Sequence, residues 1–283
     1  MTHPLKWYSI HVAKTRNLKT YDGMPVQSFA DMLRLIKQTF EKEGLVGGAA
    51  SLVFEKFFPL FAIHQLPKTT ELWKSRWHAI ENEVETAICK RKNVSVIEMG
   101  CGAGDLLMKG GEYAKARNIA FRGVGIDIDP HAIQFAQGRK RALGMADIDF
   151  RVGDVVKGTV QEDRKARPMK TYFKKYFGAP PDLVITEGVI EWLRPVQDQV
   201  LENIFSLDAE EYIFLVAAQK ALASKAGRII TGIAKASGET VRGFTKDELE
   251  SLIQKHARGL RMRTKVCGGD WYPESFYLVN VTK

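Results

Sequence analysis

The chain has 283 residues, 45% of them apolar and 27% charged, enough to bury one sizeable core or one domain with a substantial extension. No run approaches the roughly 18–20 consecutive apolar residues of a membrane span, and Met1 to Ile10 carries Lys6 but no long apolar stretch behind it, so no secretory signal is read. Three widely spaced cysteines (Cys89, Cys101, Cys267) neither build a disulfide framework nor sit at metal-ligand spacing; the expectation is a cytoplasmic protein without a structural metal. A net charge of +9 raises nucleic acid and acidic substrates as partners beside the commoner case, a basic soluble enzyme.

Up to about residue 92 the pattern is helical and rich in aromatics. Residues 28–43 place Phe29, Met32, Leu33, Ile36 and Phe40 on one face, with Ser28 as N-cap. Residues 49–63 are apolar around Pro59, with Phe54, Phe57, Phe58 and Phe61. Residues 71–90 put Leu72, Trp73, Trp77, Ile80, Val84 and Ile88 on one stripe. Beyond Asn93 short β-rich runs alternate with helical stretches. Strands are expected at 94–98, 121–127, 148–152, 182–186 and 212–217. A helix runs from the Gly-rich turn to about Arg117, and another from Pro130 to Leu143 behind an Asp129 N-cap. Thr245 and Glu248 form a capping box that opens a helix to His256. Two last strands, 261–267 and 276–281, have no helix between them and predict an antiparallel hairpin at the sheet edge. Such alternation predicts an α/β fold, a mostly parallel sheet with helices on both faces and ligands beyond the carboxyl ends of its strands.

Four strand tips carry the chemistry. The first strand runs into Glu98-Met-Gly100-Cys-Gly102-Ala-Gly104-Asp105, a turn in which glycines let the backbone approach a ligand. Its alternate glycines differ from the dinucleotide fingerprint, and it lacks the Gly-Lys-Ser/Thr of a phosphate-cradling loop. It suits a nucleoside with a charged, non-phosphate tail. The second strand ends at Asp127, 23 residues after Gly104, followed by Ile128 and Asp129. A carboxylate there can accept both hydroxyls of a ribose. The third strand ends in Gly153-Asp154-Val155, where a carboxylate can accept from an adenine amino group, and the fourth ends in Thr186-Glu187-Gly188. Read without a ligand, Asp129 is a helix cap, Asp154 a turn residue, and Glu187 a carboxylate that bonds backbone.

In this order and spacing the four tips resemble the Rossmann-like class of S-adenosylmethionine-dependent methyltransferases, over about residues 92–283. The resemblance implies a seven-stranded sheet with an antiparallel last hairpin and assigns the cofactor S-adenosyl-L-methionine. It places Glu98 and the Gly loop (Gly100, Gly102, Gly104) at the methionyl part, Asp127 at the ribose, and Asp154 with Val155 at the adenine edge, with Ile128 and Gly153 among the cofactor-binding residues. Residues 1–92 would form a helical cap over the acceptor, drawing on Trp7, Tyr8, Tyr21, Phe57, Phe58, Phe61, Trp73 and Trp77, most of them packing.

A sulfonium carries its own leaving group, so no catalytic triad is required. Glu187 is the best-placed candidate base, with Glu191, His64 and His131 behind it; Cys101 reads as a small filler of the loop. Residues 157–180 interleave Lys and Arg with Tyr and Phe. They read as a solvated helix docked by an apolar stripe, with a grip on nucleic acid as the alternative. The leading reading is methyl transfer to a small molecule. Three others stay open: a nucleic-acid methyltransferase, attack on another sulfonium carbon releasing methylthioadenosine (alkyl transfer or internal cyclisation), and a non-catalytic binding module. The fourth strand tip, Thr186-Glu-Gly-Val189, is not the Asn/Asp-Pro-Pro-aromatic turn of amino-group nucleic-acid methylases.

Overall fold

The computed structural model describes residues 20–21, 24–25, 67–163, 165–193, 196–223, 228, 231, 241–269 and 272–283. The helices expected at 28–43 and 49–63, the candidate His64, and the side chains of Leu72, Trp73 and Trp77 lie outside the described residues. Thr20–Tyr21 and Met24–Pro25 form a short antiparallel pair.

The main elements, in chain order, are α1 (Pro67–Cys89), β1 (Asn93–Met99), α2 (Asp105–Ala116), β2 (Ala120–Asp127), α3 (Pro130–Leu143), β3 (Ile148–Asp154), β4 (Thr159–Glu162), β5 (Lys165–Pro168), α4 (Met169–Phe177), β6 (Leu183–Glu187), α5 (Gln197–Phe205), β7 (Glu211–Ala217), α6 (Gln219–Ala223), α7 (Lys246–His256), β8 (Arg261–Gly269) and β9 (Tyr272–Thr282). Among the described residues nine strands form one sheet in the order β8-β9-β7-β6-β1-β2-β3-β4-β5. β3, β2, β1, β6 and β7 are parallel; β9 runs antiparallel to β7, and β8 antiparallel to β9. The strand order reverses between β1 and β6, where ligands bind in open sheets of this kind.

Alternate residues of each strand feed two cores. Val94 and Val96 of β1, Phe121 of β2, Phe150 of β3 and Ile185 of β6 pack with α1, α2 and α3. Ile97 and Met99, Val124 and Ile126, and Val184 pack with α4, α5 and α7 on the other face. β7 is buried at all seven positions, as a central strand covered on both faces must be. α1 lies upstream of the texture change at residue 92, yet Ile80, Val84, Ala87 and Ile88 sit in the sheet core beside α2. Glu211, only 2% exposed, anchors its end: Arg91 donates to Glu211 Oε2 from Nη1 and Nη2 at 3.2 and 3.3 Å, and Asn280 donates to Oε1 at 2.8 Å. A buried carboxylate is tolerable because its lone pairs are met in this way.

The seven expected strands are all present. The difference is at the β3 edge, where residues 157–180, expected as one helix, form a hairpin followed by a helix. β4 pairs with β3 through Gly153–Val160 and Asp154–Thr159, and β5 pairs with β4. β5 is exposed at all four positions, so no apolar alternation announces it. The docked helix is there as expected: Met169, Tyr172 and Phe173 of α4 are buried.

Candidate active site

The site grows from the turn between β1 and α2. The Gly100 and Cys101 amides both donate to the Ile126 carbonyl, at 2.8 and 2.9 Å, which folds the turn across the end of β2. Gly100 (φ +69°) and Gly104 (φ +77°) take the left-handed conformation that L side chains avoid. Space forbids a side chain as well: a Cβ would lie 2.4 Å from Val189 Cγ2 at Gly100 and 2.4 Å from Phe150 Cζ at Gly104. Cys101 is buried against Gly125 within the turn, and burial pushes its thiol well above the ordinary range, so it fills space as expected.

Asp127 organises the turn from the next strand. Its Oδ2 accepts from the Gly102 amide and its Oδ1 from the Asp129 amide, both at 2.9 Å, so one carboxylate joins the Gly turn to the start of α3. Burial pushes its carboxyl up to about 6, against the pull of those two amides. Asp129 caps α3 by accepting from the His131 amide, and His131 itself is exposed. Ile128, between the two aspartates, is 52% exposed, an apolar side chain held out at the strand tip.

Glu98 is 3% exposed and accepts from the Leu107 amide in the first turn of α2 at 3.1 Å. Burial raises its carboxyl well above the usual range, and the charges of Glu187, Asp105 and Asp127 add to this. Glu187 shares that face. β1 and β6 pair Glu98 with Ile185, and Glu187 lies two residues on, half-buried at the strand tip. Glu98, Asp105, Asp127 and Glu187 therefore bring four carboxyl groups around one turn at the topological switch point, and a cationic ligand there would favour their ionised forms. On the other face of β6 the Thr186 hydroxyl is buried with no hydrogen-bond partner among the described residues, as is Asp129 Oδ2. Asp129 Oδ2, next in sequence to the exposed Ile128 and close to the Gly turn through Asp127, leaves an acceptor that fits a polar nucleoside with an aromatic base.

Other expected site residues are committed to structure. Asp154 Oδ1 accepts from the Val156 and Lys157 amides at 3.0 and 3.1 Å, and Oδ2 pairs with Lys157 Nζ at 3.0 Å. It shapes the β3–β4 turn. Gly153 lies against the Thr159 carbonyl in the hairpin, and Val155 is buried. Glu191 is buried and accepts from the Ala217 amide at 3.2 Å, tying its segment to the end of β7.

Two contributors escape a sequence reading. Arg139 of α3 donates from Nη1 to the Ala103 carbonyl at 3.2 Å and pairs through Nη2 with Asp105 Oδ1 at 2.5 Å. Gln137 donates to the Phe150 carbonyl at 3.0 Å. Both sit in a helix whose pattern is that of any amphipathic helix; the only hint is an Arg and an amide facing a strand–turn–helix motif.

A family model described as a methyltransferase domain matches residues 90–258. No curated protein matches the chain. Among solved structures, the trans-methyltransferase CalH in complex with SAH aligns at TM-score 0.57 and 14% identity, over 99% of this chain and 73% of its own. The small RNA methyltransferase HEN1 aligns at 0.54 and 13%, over 73% of this chain and 25% of its own. An O-methyltransferase family protein from Burkholderia thailandensis aligns at 0.52 and 9%, over 73% of this chain and 55% of its own. The chain spans about half the length of other neighbours, 50% of PigF and 46% of the citrinin polyketide synthase CMeT domain. At these identities the neighbours establish the fold, and the matched domain establishes the family. The chain belongs to the S-adenosylmethionine-dependent methyltransferases of Rossmann-like fold.

Proposed function

We propose that the chain methylates a small molecule. The cofactor half of this reading is carried by the four carboxyl groups, Glu98, Asp105, Asp127 and Glu187, around a Gly turn braced by Asp127, and the acceptor half by the use of the α4 aromatics in packing. S-Adenosylmethionine, when bound, supplies a methyl group activated by its sulfonium. Asp127 accepts from the ribose hydroxyls with the lone pairs its two amide bonds leave open, and Ile128 covers a face of the base. The Gly100 to Gly104 backbone and Glu98 hold the methionyl end. Asp154 and Val155 border the adenine, with Gly153 giving the turn room. Glu187 orients the acceptor and takes its proton when the acceptor arrives protonated. The part of residues 1–92 that precedes α1 acts as the cap on the acceptor side, while α1, packed in the sheet core, joins residues 93–283 in the cofactor domain.

A nucleic-acid acceptor is the second reading, favoured by HEN1 among the structural neighbours and by the net charge. Against it, the aromatics of α4 are used in packing. Tyr172 and Phe173 are buried, and Tyr176 and Phe177 stack along the helix under Arg122. They offer no platform on which bases could stack. Among the described residues no helix is long and apolar enough to cross a membrane. The test is calorimetry with S-adenosylmethionine and S-adenosylhomocysteine, then incubation with donor and a small-molecule extract read by mass. A gain of one methyl on a small molecule, with S-adenosylhomocysteine released, supports the reading. Release of methylthioadenosine would move it to alkyl transfer or cyclisation, and labelled nucleic acid would overturn it.

A further inference from the structure

We infer that Arg139 is a positioning residue for cofactor binding, which pins the Gly turn to α3 at a second point. The inference rests on the cofactor site proposed above. Asp127 already ties Gly102 to the N-terminal end of α3 through the Asp129 amide. Arg139 lies ten residues further along the helix from that cap and reaches the part of the turn Asp127 does not hold. Its two guanidinium nitrogens take the Ala103 carbonyl at 3.2 Å and the Asp105 carboxylate at 2.5 Å. The planar fork suits this pair of acceptors, one a backbone oxygen and one a side chain at the first position of α2. Arg139 also lies over the Phe135 ring, its carbon 5.8 Å from the centroid, which fixes the side chain along the helix.

The consequence is a turn held from both ends. Gly100 and Gly104 are left-handed, a conformation that neighbouring contacts must stabilise against alternatives open to glycine. Asp127 fixes the Gly102 amide; Arg139 fixes the peptide after it and the start of α2. Arg139 also neutralises Asp105, one of the four carboxylates crowded at the turn. Without Arg139 the turn would sample states that lose its close-approach shape, and the cofactor would have to restore the order on binding.

Two measurements test this. Calorimetry with S-adenosylhomocysteine compares the wild type with Arg139→Ala, Arg139→Lys, Asp105→Asn and, as a control ion pair at the β4 edge, Lys175→Ala. Hydrogen exchange without ligand follows the amides of residues 101–105. We expect Arg139→Ala to weaken binding about tenfold, as loss of a charged hydrogen bond does. Arg139→Lys should recover part of this by keeping the ion pair without the fork. The turn amides should exchange faster in Arg139→Ala, and Lys175→Ala should change neither readout. Equal affinity and equal exchange in Arg139→Ala would overturn the inference. If Arg139→Ala does not fold, Arg139→Lys and Asp105→Asn carry the same test, and wild-type values in both would overturn it. A wild type that binds no ligand would sink the cofactor reading instead; the exchange data, taken without ligand, would still decide whether Arg139 holds the turn.

Discussion

Two glycines with almost the same φ separate the centre of the sheet from its edge. Gly104, where the cofactor turn enters α2, has φ +77°; Gly178, which ends α4 at the β5 edge, has φ +80°. A Cβ at Gly104 would lie 2.4 and 2.5 Å from the Phe150 ring, whereas a Cβ at Gly178 would meet nothing within 4 Å among the described residues. One turn is required by its surroundings as well as by its dihedral angle; the other ends a helix and nothing more. The same contrast runs through the charges. Asp127 and Glu98 are buried carboxylates bonded to backbone amides, whereas Glu162 on β4 answers exposed Lys175 and Arg167. The switch point stores polar groups in a dry interior, and the edge displays them to water.

The sharpest way to break this comparison is to place a methyl on each glycine. Gly104→Ala adds an overpacking cost to the left-handed penalty and should lose about 3 kcal/mol or more of stability, whereas Gly178→Ala should lose about 1 kcal/mol. Urea denaturation of both variants gives the answer. Equal losses would mean that Phe150 moves aside freely and that the turn is not fixed by packing.

Next in size is the carboxylate at the second strand tip. Asp127→Asn replaces an acceptor oxygen with an amide group that faces the Gly102 or Asp129 amide, donor against donor. It should weaken S-adenosylhomocysteine binding by about ten- to a hundredfold, corresponding to about 1.5–3 kcal/mol. Asp154→Asn should cost much less, because Oδ1 as an amide oxygen still accepts from Val156 and Lys157. If calorimetry finds the two equal, the ribose carboxylate has been misplaced.

These particulars show where a sequence speaks and where it is silent. The strands, the Gly turn and the carboxylates at the tips follow local rules of period, turn chemistry and spacing, so they are legible residue by residue. The Asp129 cap and the Thr245–Glu248 capping box are equally local, and both stand in the structure. Arg139 and Gln137 are not legible, because their partners lie 36 and 13 residues away and either side chain would look the same on a solvated helix. Nor is β5, whose Lys165-Ala-Arg-Pro168 has no alternation to read; its strand exists because β4 offers it an edge.

Acidity sharpens the role of Asp127. Its folded carboxyl sits at about 6, above the ordinary 3.8, so in the unliganded protein it contributes stability that is complete below about pH 4 and lost as pH rises through 6. Ribose hydroxyls donate to the ionised form and prefer it. Affinity for S-adenosylhomocysteine should therefore be flat above about pH 7 and fall as pH drops through 6, by up to about tenfold per unit. Calorimetry from pH 5 to 8 measures this, and Asp127→Asn should flatten the profile. A wild-type profile already flat across 6 would show that the ligand does not distinguish the two forms.

The smallest effect belongs to the edge. β5 is exposed at every position, and its Arg167 side chain makes a surface pair with Glu162 at 3.8 Å. Lys165→Glu with Arg167→Glu should shift stability by no more than about 0.5 kcal/mol, the usual range for exposed substitutions. Cofactor affinity should not change, since Lys165 and Arg167 lie on β5, which pairs with β4 at Glu162 and Val160 rather than with the β3 tip at Gly153 and Asp154. The double reversal also bears on the acceptor. If the net charge of +9 serves a small-molecule enzyme, these two sites are solubility features and turnover will be unaffected. If a nucleic acid is gripped along this edge, removing two positive charges and adding two negative ones will weaken its binding. The salt dependence will flatten too, because fewer counterions are released. Filter binding across a salt series, run beside the methylation assay, separates these outcomes. A steep loss there would join the edge to the site, against the division between a dry switch point and a solvated rim.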